Sequence, residues 1–307
     1  MNICVVGAGA IGGWVAAKLA MAGKTVMALN SSGPLERIDI VEAGQARSAE
    51  LTRFEGPADL LFVAVKATGL SPAAQSAKRL IGSQTTIVPL LNGVPWWFVQ
   101  GMRLSSVDPD GSIGAALPFT QIVGCVVHAS CCRSSDGAVM VKHAEKLIVG
   151  EPGGDTSERV AQLYALLNGA GLRPDLTGNV RRAIWYKLWG NATINPLSAL
   201  VRTTCDRILA DPECRAWMLE GMAELAAIGA AIRCPISESG DERMAVTAKL
   251  GAFKTSMLQD VESGRPIELE ALLGAPREIA RRTGIKTPAL DRLYNVTRLM
   301  AESLGLA

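Results

Sequence analysis

Apolar residues in the first half of the chain fall into short runs rich in β-branched side chains, separated by stretches of small residues. This alternation is typical of parallel strands joined by crossover helices. The predicted strands are Asn2–Val6, Thr25–Leu29, Leu60–Val65 and Thr86–Leu90. The pattern therefore predicts an α/β region at the start of the chain.

A different pattern begins near Gln121. Two apolar runs, Ile122–Val127 and Ala138–Val141, flank the turn Ser134-Ser135-Asp136-Gly137. Turn-forming residues between two apolar runs indicate a β-hairpin. We expect this hairpin to form an antiparallel extension of the sheet.

Strand signals end after Gly171 and Pro174, and the remaining apolar positions have helical spacing. The predicted helices cover residues 179–195, 206–232, 241–262, 266–283 and 287–304. The chain is therefore expected to hold two domains. An α/β domain covers residues 1–172, and an all-α domain covers residues 173–307.

Composition restricts the class of protein. Hydrophobic residues make up 49% of the chain and charged residues 20%, and 31 basic against 29 acidic side chains leave a net charge of +2. These values argue against disorder and against a nucleic-acid-binding surface. Seven cysteines without a CxxC pair and only two histidines argue against a metal site and favour a reducing compartment. Glycines and Lys18 interrupt the apolar start of the chain, which argues against a signal or membrane segment. Together these features predict a cytoplasmic protein that binds a small molecule.

The motif Gly7-Ala8-Gly9-Ala10-Ile11-Gly12 follows the first predicted strand and leads into a helical stretch and a second strand. In this setting the first glycine makes a tight turn, the second lets the backbone approach a pyrophosphate, and the third permits close helix packing. The helix N-terminus adds unpaired N–H groups and a positive dipole end. We expect all six residues to bind a dinucleotide, with a purely structural turn as the alternative.

The end of the second strand usually carries Asp or Glu in proteins that prefer NAD. Here it holds Asn30-Ser31-Ser32, and the first acid is Glu36, beside Arg37. A carboxylate would repel a 2′-phosphate, whereas neutral donors and a nearby arginine tolerate one. We therefore expect Asn30 and Ser31 to contact the cofactor, and NADPH to be favoured over NADH.

Polar residues also follow two later strands. Lys66 closes the third predicted strand, and Asn92-Gly93 follows the fourth. Residues beyond the carboxyl ends of parallel strands line the ligand crevice of an open sheet. Lys66 and Asn92 are thus candidates for cofactor or substrate contact, although a solvated lysine and an ordinary Asn-Gly turn are equally good explanations.

A polar stripe follows the first predicted helix of the second domain. At about 100° per residue, Lys187, Asn191 and Asn195 share one face within roughly 80°, and tryptophans occupy the other side. Exposed asparagine is a poor helix former, which favours a functional stripe over a solvated one. Pro196 disfavours helical geometry at Asn195, so displacement of Asn195 from the stripe is an open alternative.

Two further polar residues, Ser256 and Glu268, lie on predicted helices on either side of the stop at Gly264. Pro266 begins the next helix and places Glu268 in its first turn, where the helix dipole favours a carboxylate. Taken alone, Glu268 is explained as a helix-start acid and Ser256 as a helical serine bonded back to the backbone.

These motifs together resemble the ketopantoate reductase family, also called 2-dehydropantoate 2-reductases, over nearly the whole chain. The matching pieces are Gly7–Gly12, Val65-Lys66-Ala67, Asn92-Gly93, His128-Ala129, Lys187-Leu188 with Asn191 and Asn195-Pro196, Ser256–Asp260, and Glu268. The resemblance implies an N-terminal Rossmann-like doubly wound sheet and an all-α C-terminal domain. It also implies NADPH-dependent reduction of a 2-oxo acid, most simply 2-dehydropantoate, in the cleft between them.

The resemblance further implies that Lys187 is the general acid and Glu268 its electrostatic partner. The chemistry is consistent, because hydride delivery to a ketone carbon leaves a developing alkoxide that needs a nearby cation and a proton donor. The substrate-binding residues it implies are Asn92, Asn191, Asn195 and Ser256. The cofactor-binding residues it adds to the glycine motif are Lys66, Asn92, Ala129 and Glu268.

Two departures from the family pattern bear on the ligands. Family members often carry arginine where this chain has Asn30-Ser31, and the segment Val94–Phe98 is unusually aromatic. If that segment covers the cleft, a larger or more apolar oxo acid is favoured. Reduction of another oxo acid or of an imine, as in opine formation, and a non-catalytic NADPH sensor are the alternatives. A homodimer is an open alternative for the assembly.

Overall fold

The computed structural model describes residues 1–306, which form two compact units. The first unit comprises Met1–Leu91 and Gly111–Ala183, and the second comprises Asn92–Asp110 and the chain from Ile184 onward. The division differs from the predicted boundary at residues 172/173 in two ways. A short strand and a helix start beyond residue 172 stay with the first unit, and the aromatic segment after residue 91 belongs to the second.

The first unit contains all ten strands and four helices of the described chain. The strands are β1 Asn2–Val6, β2 Thr25–Asn30, β3 Gly33–Pro34, β4 Arg37–Glu42, β5 Gln45–Glu50, β6 Ala58–Val63, β7 Ile81–Pro89, β8 Gly124–Arg133, β9 Val139–Gly150 and β10 Pro174–Leu176. The helices are α1 Ala10–Met21, α2 Leu70–Ala77, α3 Ser112–Ala116 and α4 Glu158–Gly169.

Two sheets organise the first unit. The first has the order β3-β2-β1-β6-β7, and every pairing in it is parallel except that of the short β3. The four strands predicted for it are confirmed, with ends shifted by a few residues. Since strand order changes direction on either side of β1, the carboxyl ends of β1, β2 and β6 form the edge where this fold class binds ligands.

The predicted hairpin is confirmed as β8 and β9, which pair antiparallel from Gly124↔Gly150 to Arg133↔Val139. It lies in a second sheet of order β10-β9-β4-β5, with β8 on the other side of β9. Strand β5 has one buried residue in six, and β10 has only three residues. The hydrophobic pattern therefore gave no signal for either strand.

Helix α1 packs against strands of both sheets. This position explains its sequence, because Trp14, Val15, Ala16, Ala17 and Leu19 are all buried at 1% exposure or less. A helix enclosed on two sides needs apolar residues around its whole circumference rather than along one stripe. The N-terminus of α1, which carries the glycine motif, is thereby held firmly against β1 and β2.

The second unit is helical. Its helices are α5 Val180–Val201, which begins in the first unit, α6 Cys205–Ala210, α7 Pro212–Ala231, α8 Gly240–Ala248, α9 Ser256–Glu262, α10 Ala275–Thr283 and α11 Pro288–Ser303. A π-helical turn, Glu270–Gly274, precedes α10. The all-α character predicted for the C-terminal region is confirmed.

Some helices begin or end at other residues than predicted, because side-chain capping hydrogen bonds set their ends. The helix predicted for 206–232 divides at Asp211, whose carboxylate accepts a hydrogen bond from the Cys214 N–H at 2.8 Å and caps α7. The helix predicted for 241–262 is interrupted before Thr255, whose hydroxyl caps α9. In contrast, α5 continues through Pro196 to Val201, so Asn195 keeps its place on the helix.

Indole rings form the core around α5. Trp185 and Trp189 are fully buried, and their Nε1 groups donate hydrogen bonds to the carbonyl oxygens of Leu225 at 3.1 Å and Met222 at 2.8 Å. Phe98 stacks on Trp185 with ring centroids 5.7 Å apart. Because α7 satisfies these two indole N–H groups, the rings of Trp185 and Trp189 can pack without the cost of an unpaired donor.

No helix within residues 1–306 combines the length and the apolarity that crossing a membrane requires.

The buried carboxylate of Glu278 on α10 forms hydrogen bonds with the segment Asn92–Asp110. Glu278 is 7% exposed and accepts hydrogen bonds from the backbone N–H groups of Ser105 at 3.0 Å and Ser106 at 2.9 Å, and from Arg282 at 2.6 Å. Burial by itself would raise the pKa of Glu278, but these hydrogen bonds outweigh it and hold the pKa below its ordinary value.

We expect Glu278→Gln to lower the free energy of unfolding by about 1–3 kcal/mol at neutral pH, because one buried acceptor and its charge are lost. A carboxyl with a lowered folded pKa stabilises the fold above its unfolded pKa, which is about 4.3, and loses this effect as the pH falls through the folded pKa. Denaturant unfolding should therefore show a smaller difference between variant and wild type at about pH 3 than at about pH 7.

The matched control is Glu302→Gln, which removes an exposed carboxylate paired with Arg298 across one helical turn. Exposed pairs contribute little, so this variant should unfold like the wild type at both pH values. A Glu278→Gln deficit that is equal at both pH values would contradict the role given to its charge.

Candidate active site

The glycine motif forms a turn pinned to β2. The N–H groups of Gly7 and Ala8 both donate to the carbonyl oxygen of Leu29, at 2.9 and 3.0 Å. Gly9 is the N-cap of α1 and contributes no side-chain cap. The first N–H groups of α1 have no partner within the helix and are available to an anion.

The glycines of this turn differ in how closely protein atoms approach them. A methyl group added at Gly12 would overlap the Gly7 carbonyl oxygen and lie 2.8 Å from the Cβ atom of Ala64, so helix and strand touch there. A methyl group added at Gly9 would have no protein atom closer than 4.0 Å. Gly12 thus serves packing, whereas Gly9 leaves open a place beside the unpaired N–H groups that an anion can occupy.

A cavity of about 560 Å³ brings the two predicted cofactor contacts of the first unit together. It is lined by the turn at Gly7, Ala8 and Gly9 and by the strand end at Asn30 and Ser31. Charged residues that also line it are Arg37, Asp39, Arg133 and Asp136. The Asn30 Oδ1 atom accepts hydrogen bonds from the Ser32 N–H at 2.9 Å and hydroxyl at 2.8 Å, which leaves the amide N–H groups of Asn30 as its donors.

The other predicted cofactor residues of the first unit lie apart from this cavity's lining. Lys66 is the N-cap residue of a short 3-10 turn after β6, and its ammonium nitrogen is shielded from solvent. Ala129 lies on β8, where it pairs with Ala144. Their cofactor contacts stay predictions.

The second unit brings two predicted site residues into direct contact. The Lys187 ammonium group donates a hydrogen bond to the Asn92 side-chain oxygen at 2.9 Å, and both residues are half-buried. The Asn92 amide is neutral, so this hydrogen bond does not offset the positive charge of the Lys187 ammonium group. This contact fixes the position of the ammonium group beside α5.

The loop that carries Asn92 is fixed to the π-helical turn at Glu270–Gly274. The Val94 N–H donates to the carbonyl oxygen of Ala271 at 2.8 Å. Glu268 is half-buried and lies two residues before that turn, and its carbonyl oxygen accepts a hydrogen bond from the Leu272 N–H at 3.2 Å. Sequence reasoning placed Glu268 in the first turn of an α-helix, whereas the observed element is a π-helical turn over Glu270–Gly274 that leads into α10.

Asn191 and Asn195 lie one and two turns after Lys187 on the same face of α5. Asn195 is 6% exposed and Asn191 is half-buried. Within residues 1–306, neither side-chain amide hydrogen-bonds to another group of the chain. Both side-chain amides are therefore available to a ligand.

Ser256 is the first residue of α9, directly after the capping residue Thr255, and it is exposed. The sequence placed it in the middle of a longer helix with its hydroxyl bonded back to the backbone. At the helix start its hydroxyl and N–H are instead open to a ligand. Its role in substrate binding stays a prediction.

The aromatic segment after Asn92 is part of the core of the second unit. Trp96, Trp97 and Phe98 are at most 5% exposed, so these side chains pack inside that unit. That the segment covers the cleft stays a prediction, and so does the larger or more apolar oxo acid that such a cover would favour.

Sequence reasoning missed several cavity residues, among them Asp39 and Arg133. Asp39 lies on β4, whose alternation of apolar and polar residues was not recognised as a strand, and Arg133 ends β8 just before the hairpin turn. The Arg133 guanidinium donates to the carbonyl oxygens of Ala8 and Gly137. Only the pairing of strands distant in sequence brings Arg133 to the glycine turn, so no local pattern could have identified it.

Cys205 is the first residue of α6 in the second unit. Burial and the nearby Asp206 raise the pKa of the Cys205 thiol to about 11. Cys205 is 1% exposed, so it is a neutral, buried core residue and contributes no charge to the surface of this unit.

Family models match both parts of the chain. The model described as ketopantoate reductase PanE/ApbA matches residues 3–154, and the model described as ketopantoate reductase PanE/ApbA C terminal matches residues 179–301. A 2-dehydropantoate 2-reductase from Mesorhizobium japonicum is 36% identical over 99% of this chain and 99% of its own length.

Two solved structures have the same fold. A protein from Ralstonia solanacearum MolK2 that is assigned as a ketopantoate reductase is 43% identical, with a TM-score of 0.94 over 100% of this chain and 99% of its own. The 2-dehydropantoate 2-reductase from Methylococcus capsulatus is 27% identical, with a TM-score of 0.84 over 100% and 99%. These likenesses extend over both units and confirm the predicted fold class.

The two glycines give a matched pair of tests. We expect Gly9→Ala to weaken dinucleotide binding by about tenfold or more, which corresponds to about 1.4 kcal/mol, because the methyl group fills space beside the unpaired N–H groups. The thermal midpoint should change little. Gly12→Ala should instead lower the midpoint, because helix and strand must separate. Scanning calorimetry and a fluorescence titration with dinucleotide measure the two effects.

Gly169→Ala serves as the control, since a methyl group there meets no atom within 4 Å and the residue lies outside the cavity. It should preserve both the midpoint and the affinity. Wild-type affinity in Gly9→Ala would remove the glycine turn from the binding site.

Proposed function

The chain belongs to the ketopantoate reductase family, and from that premise we propose that it reduces 2-dehydropantoate to pantoate with a reduced nicotinamide dinucleotide. The observation that carries the proposal is the Lys187 ammonium group, held at 2.9 Å from the Asn92 side-chain oxygen on the face of α5 that also presents Asn191 and Asn195. The name of the Mesorhizobium japonicum relative supports this choice of substrate.

Lys187 carries the proton chemistry in this proposal. Reduction converts the carbonyl oxygen of the substrate into an alkoxide, and the ammonium group stabilises that charge and transfers a proton to it. Asn92 accepts a hydrogen bond from Lys187 and so fixes the direction of the remaining N–H donors. A neutral amide suits this purpose, because it orients the ammonium group without becoming a competing base.

Glu268 is the electrostatic partner of Lys187 in the proposal. Its carboxylate favours the charged form of a neighbouring ammonium group. The hydrogen bond between Val94 and Ala271 connects the loop of Asn92 to the turn that follows Glu268, which supports a common function for the three side chains.

The amides of Asn191 and Asn195 and the hydroxyl of Ser256 are proposed to bind the substrate carboxylate and hydroxyl groups. They supply neutral donors and acceptors, and the lack of protein partners for the two amides within residues 1–306 supports the assignment. A polar pocket of this kind discriminates well against analogues that lack a hydroxyl group, because its own groups would then be left unpaired.

The residues of the glycine motif, with Asn30 and Ser31, are proposed to hold the dinucleotide, which supplies the hydride when bound. NADPH is the proposed form. In its support, the end of β2 carries no carboxylate, and Arg37 and Arg133 line the same cavity. Lys66, which follows β6, and Ala129, which lies within β8, are also proposed to contact the cofactor.

The proposal is tested by mixing the purified protein with NADPH and 2-dehydropantoate, following the absorbance of the reduced nicotinamide, and identifying pantoate by mass spectrometry. The same assay with NADH measures the cofactor preference. Other 2-oxo acids, with and without an added amine, test for other oxo acids and for opine formation. Tight dinucleotide binding without turnover on any of them would overturn the proposal in favour of a sensor.

We expect Lys187→Ala to lower kcat by at least about 100-fold, because the alkoxide loses both its cation and its proton donor. Dinucleotide affinity, measured by titration without substrate, should stay within about twofold of wild type. Lys286→Ala removes an exposed lysine of the same unit and should retain full activity. Unchanged turnover in Lys187→Ala would remove this lysine from the mechanism.

A further inference from the structure

The cavity beside the glycine turn carries two guanidinium and two carboxylate groups at once. Arg37, Asp39, Arg133 and Asp136 all line it, so their charges sum to zero. The ligand preference of the cavity therefore depends on which of these charges are already paired within the protein and which remain available.

One opposite-charge pair is formed on β4. Arg37 lies 3.3 Å from the Asp39 carboxylate, and Asp39 also accepts a hydrogen bond from the Ser48 hydroxyl at 2.5 Å. The positive charge of Arg37 is thus largely compensated by its neighbour. Both side chains are about half exposed, which weakens the pair but still lowers the net charge that either presents to a ligand.

The second carboxylate is bound into the hairpin turn. Asp136 accepts hydrogen bonds from the Ser134 hydroxyl at 2.5 Å and the Ala138 N–H at 3.3 Å. The bond from Ser134 and then that from Ala138 lower the pKa of Asp136. Asp136 therefore stays ionised at neutral pH, with acceptor positions occupied by its own turn.

Arg133 differs from the other three. Its guanidinium donates to the carbonyl oxygens of Ala8 and Gly137, which are uncharged, and it forms no ion pair within residues 1–306. Arginine has five N–H donors, so these two contacts leave further donors free. The contact with Ala8 holds the group directly at the turn that begins the dinucleotide motif.

From these contacts we propose that Arg133, a residue of the β8–β9 hairpin, recognises the 2′-phosphate of NADPH. Arg133 is thereby the cofactor-specificity residue of this chain, and Arg37 assists it. The inference rests on the proposed function for the identity of the cofactor. It accounts for a neutral strand end at Asn30 and Ser31 in a protein that uses a phosphorylated ribose.

The physical basis is charge and geometry together. A planar guanidinium forms paired, charge-assisted hydrogen bonds with a phosphate, and Arg133 is pre-positioned by its two carbonyl contacts. Asn30 and Ser31 line the same cavity and add neutral donors from the strand end. A ribose without the 2′-phosphate would gain nothing from the spare donors of Arg133.

The test uses the cofactor-free protein and two nucleotides, adenosine 2′,5′-bisphosphate and 5′-AMP, titrated by calorimetry without substrate. We expect the wild type to bind the bisphosphate more tightly. Arg133→Ala should weaken bisphosphate binding by at least about tenfold and change 5′-AMP binding by less than about twofold. Arg133→Lys should recover part of the lost affinity, since it retains the charge but not the fork of donors.

The ratio of the two affinities separates recognition from a structural role. Loss of the contacts to Ala8 and Gly137 alone would weaken both nucleotides equally and would overturn the proposal. Arg79→Ala removes an exposed arginine of the same unit outside the cavity and controls for the change in net charge. It should leave both affinities at their wild-type values.

A second variant tests the charge argument in the opposite direction. Asp39→Asn removes the partner of Arg37 and should strengthen bisphosphate binding while leaving 5′-AMP binding unchanged. Equal binding of both nucleotides by the wild type, with no response to either substitution, would overturn the assignment. This result is distinct from failure of the reductase activity, which is measured with 2-dehydropantoate and either dinucleotide.

Discussion

The hydrogen bond between Lys187 and Asn92 imposes the main constraint on this chain, because it joins residues 95 positions apart. Asn92 follows β7 of the sheet, yet it belongs to the helical unit together with the rest of the segment up to Asp110. The chain must leave the first unit for 19 residues and then return to it at Gly111. The proton donor proposed for catalysis is therefore oriented by a loop that lies outside the helical region in sequence.

Three separate kinds of contact stabilise the segment Asn92–Asp110 within the helical unit. Phe98 stacks on Trp185 inside the helical core, the Val94 N–H bonds to Ala271, and Glu278 accepts hydrogen bonds from the chain around Ser106. Burial of a large apolar side chain such as Phe98 contributes about 2 kcal/mol. The hydrogen bonds then set the position of the loop, which fixes where Asn92 meets the ammonium group.

Much of the fold could be predicted because its signals are local. The glycine turn follows a buried strand, and Lys187, Asn191 and Asn195 have helical spacing that survives Pro196, since the long helix loses only one backbone bond there. The prediction failed where the determining contacts are distant in sequence. Nothing near Phe98 in the sequence, for example, indicates that its stacking partner is Trp185 on α5.

Charge at the nucleotide cavity follows the same logic. The sequence alone shows a neutral strand end at Asn30 and, a few residues later, Arg37. On that basis the cofactor preference is assigned to Arg37. In the proposal this role passes to Arg133, because Arg37 is paired with Asp39 on its own strand whereas Arg133 reaches the glycine turn with only carbonyl partners. Specificity in such a cavity depends less on the number of cations that line it than on the pairing that leaves one of them available.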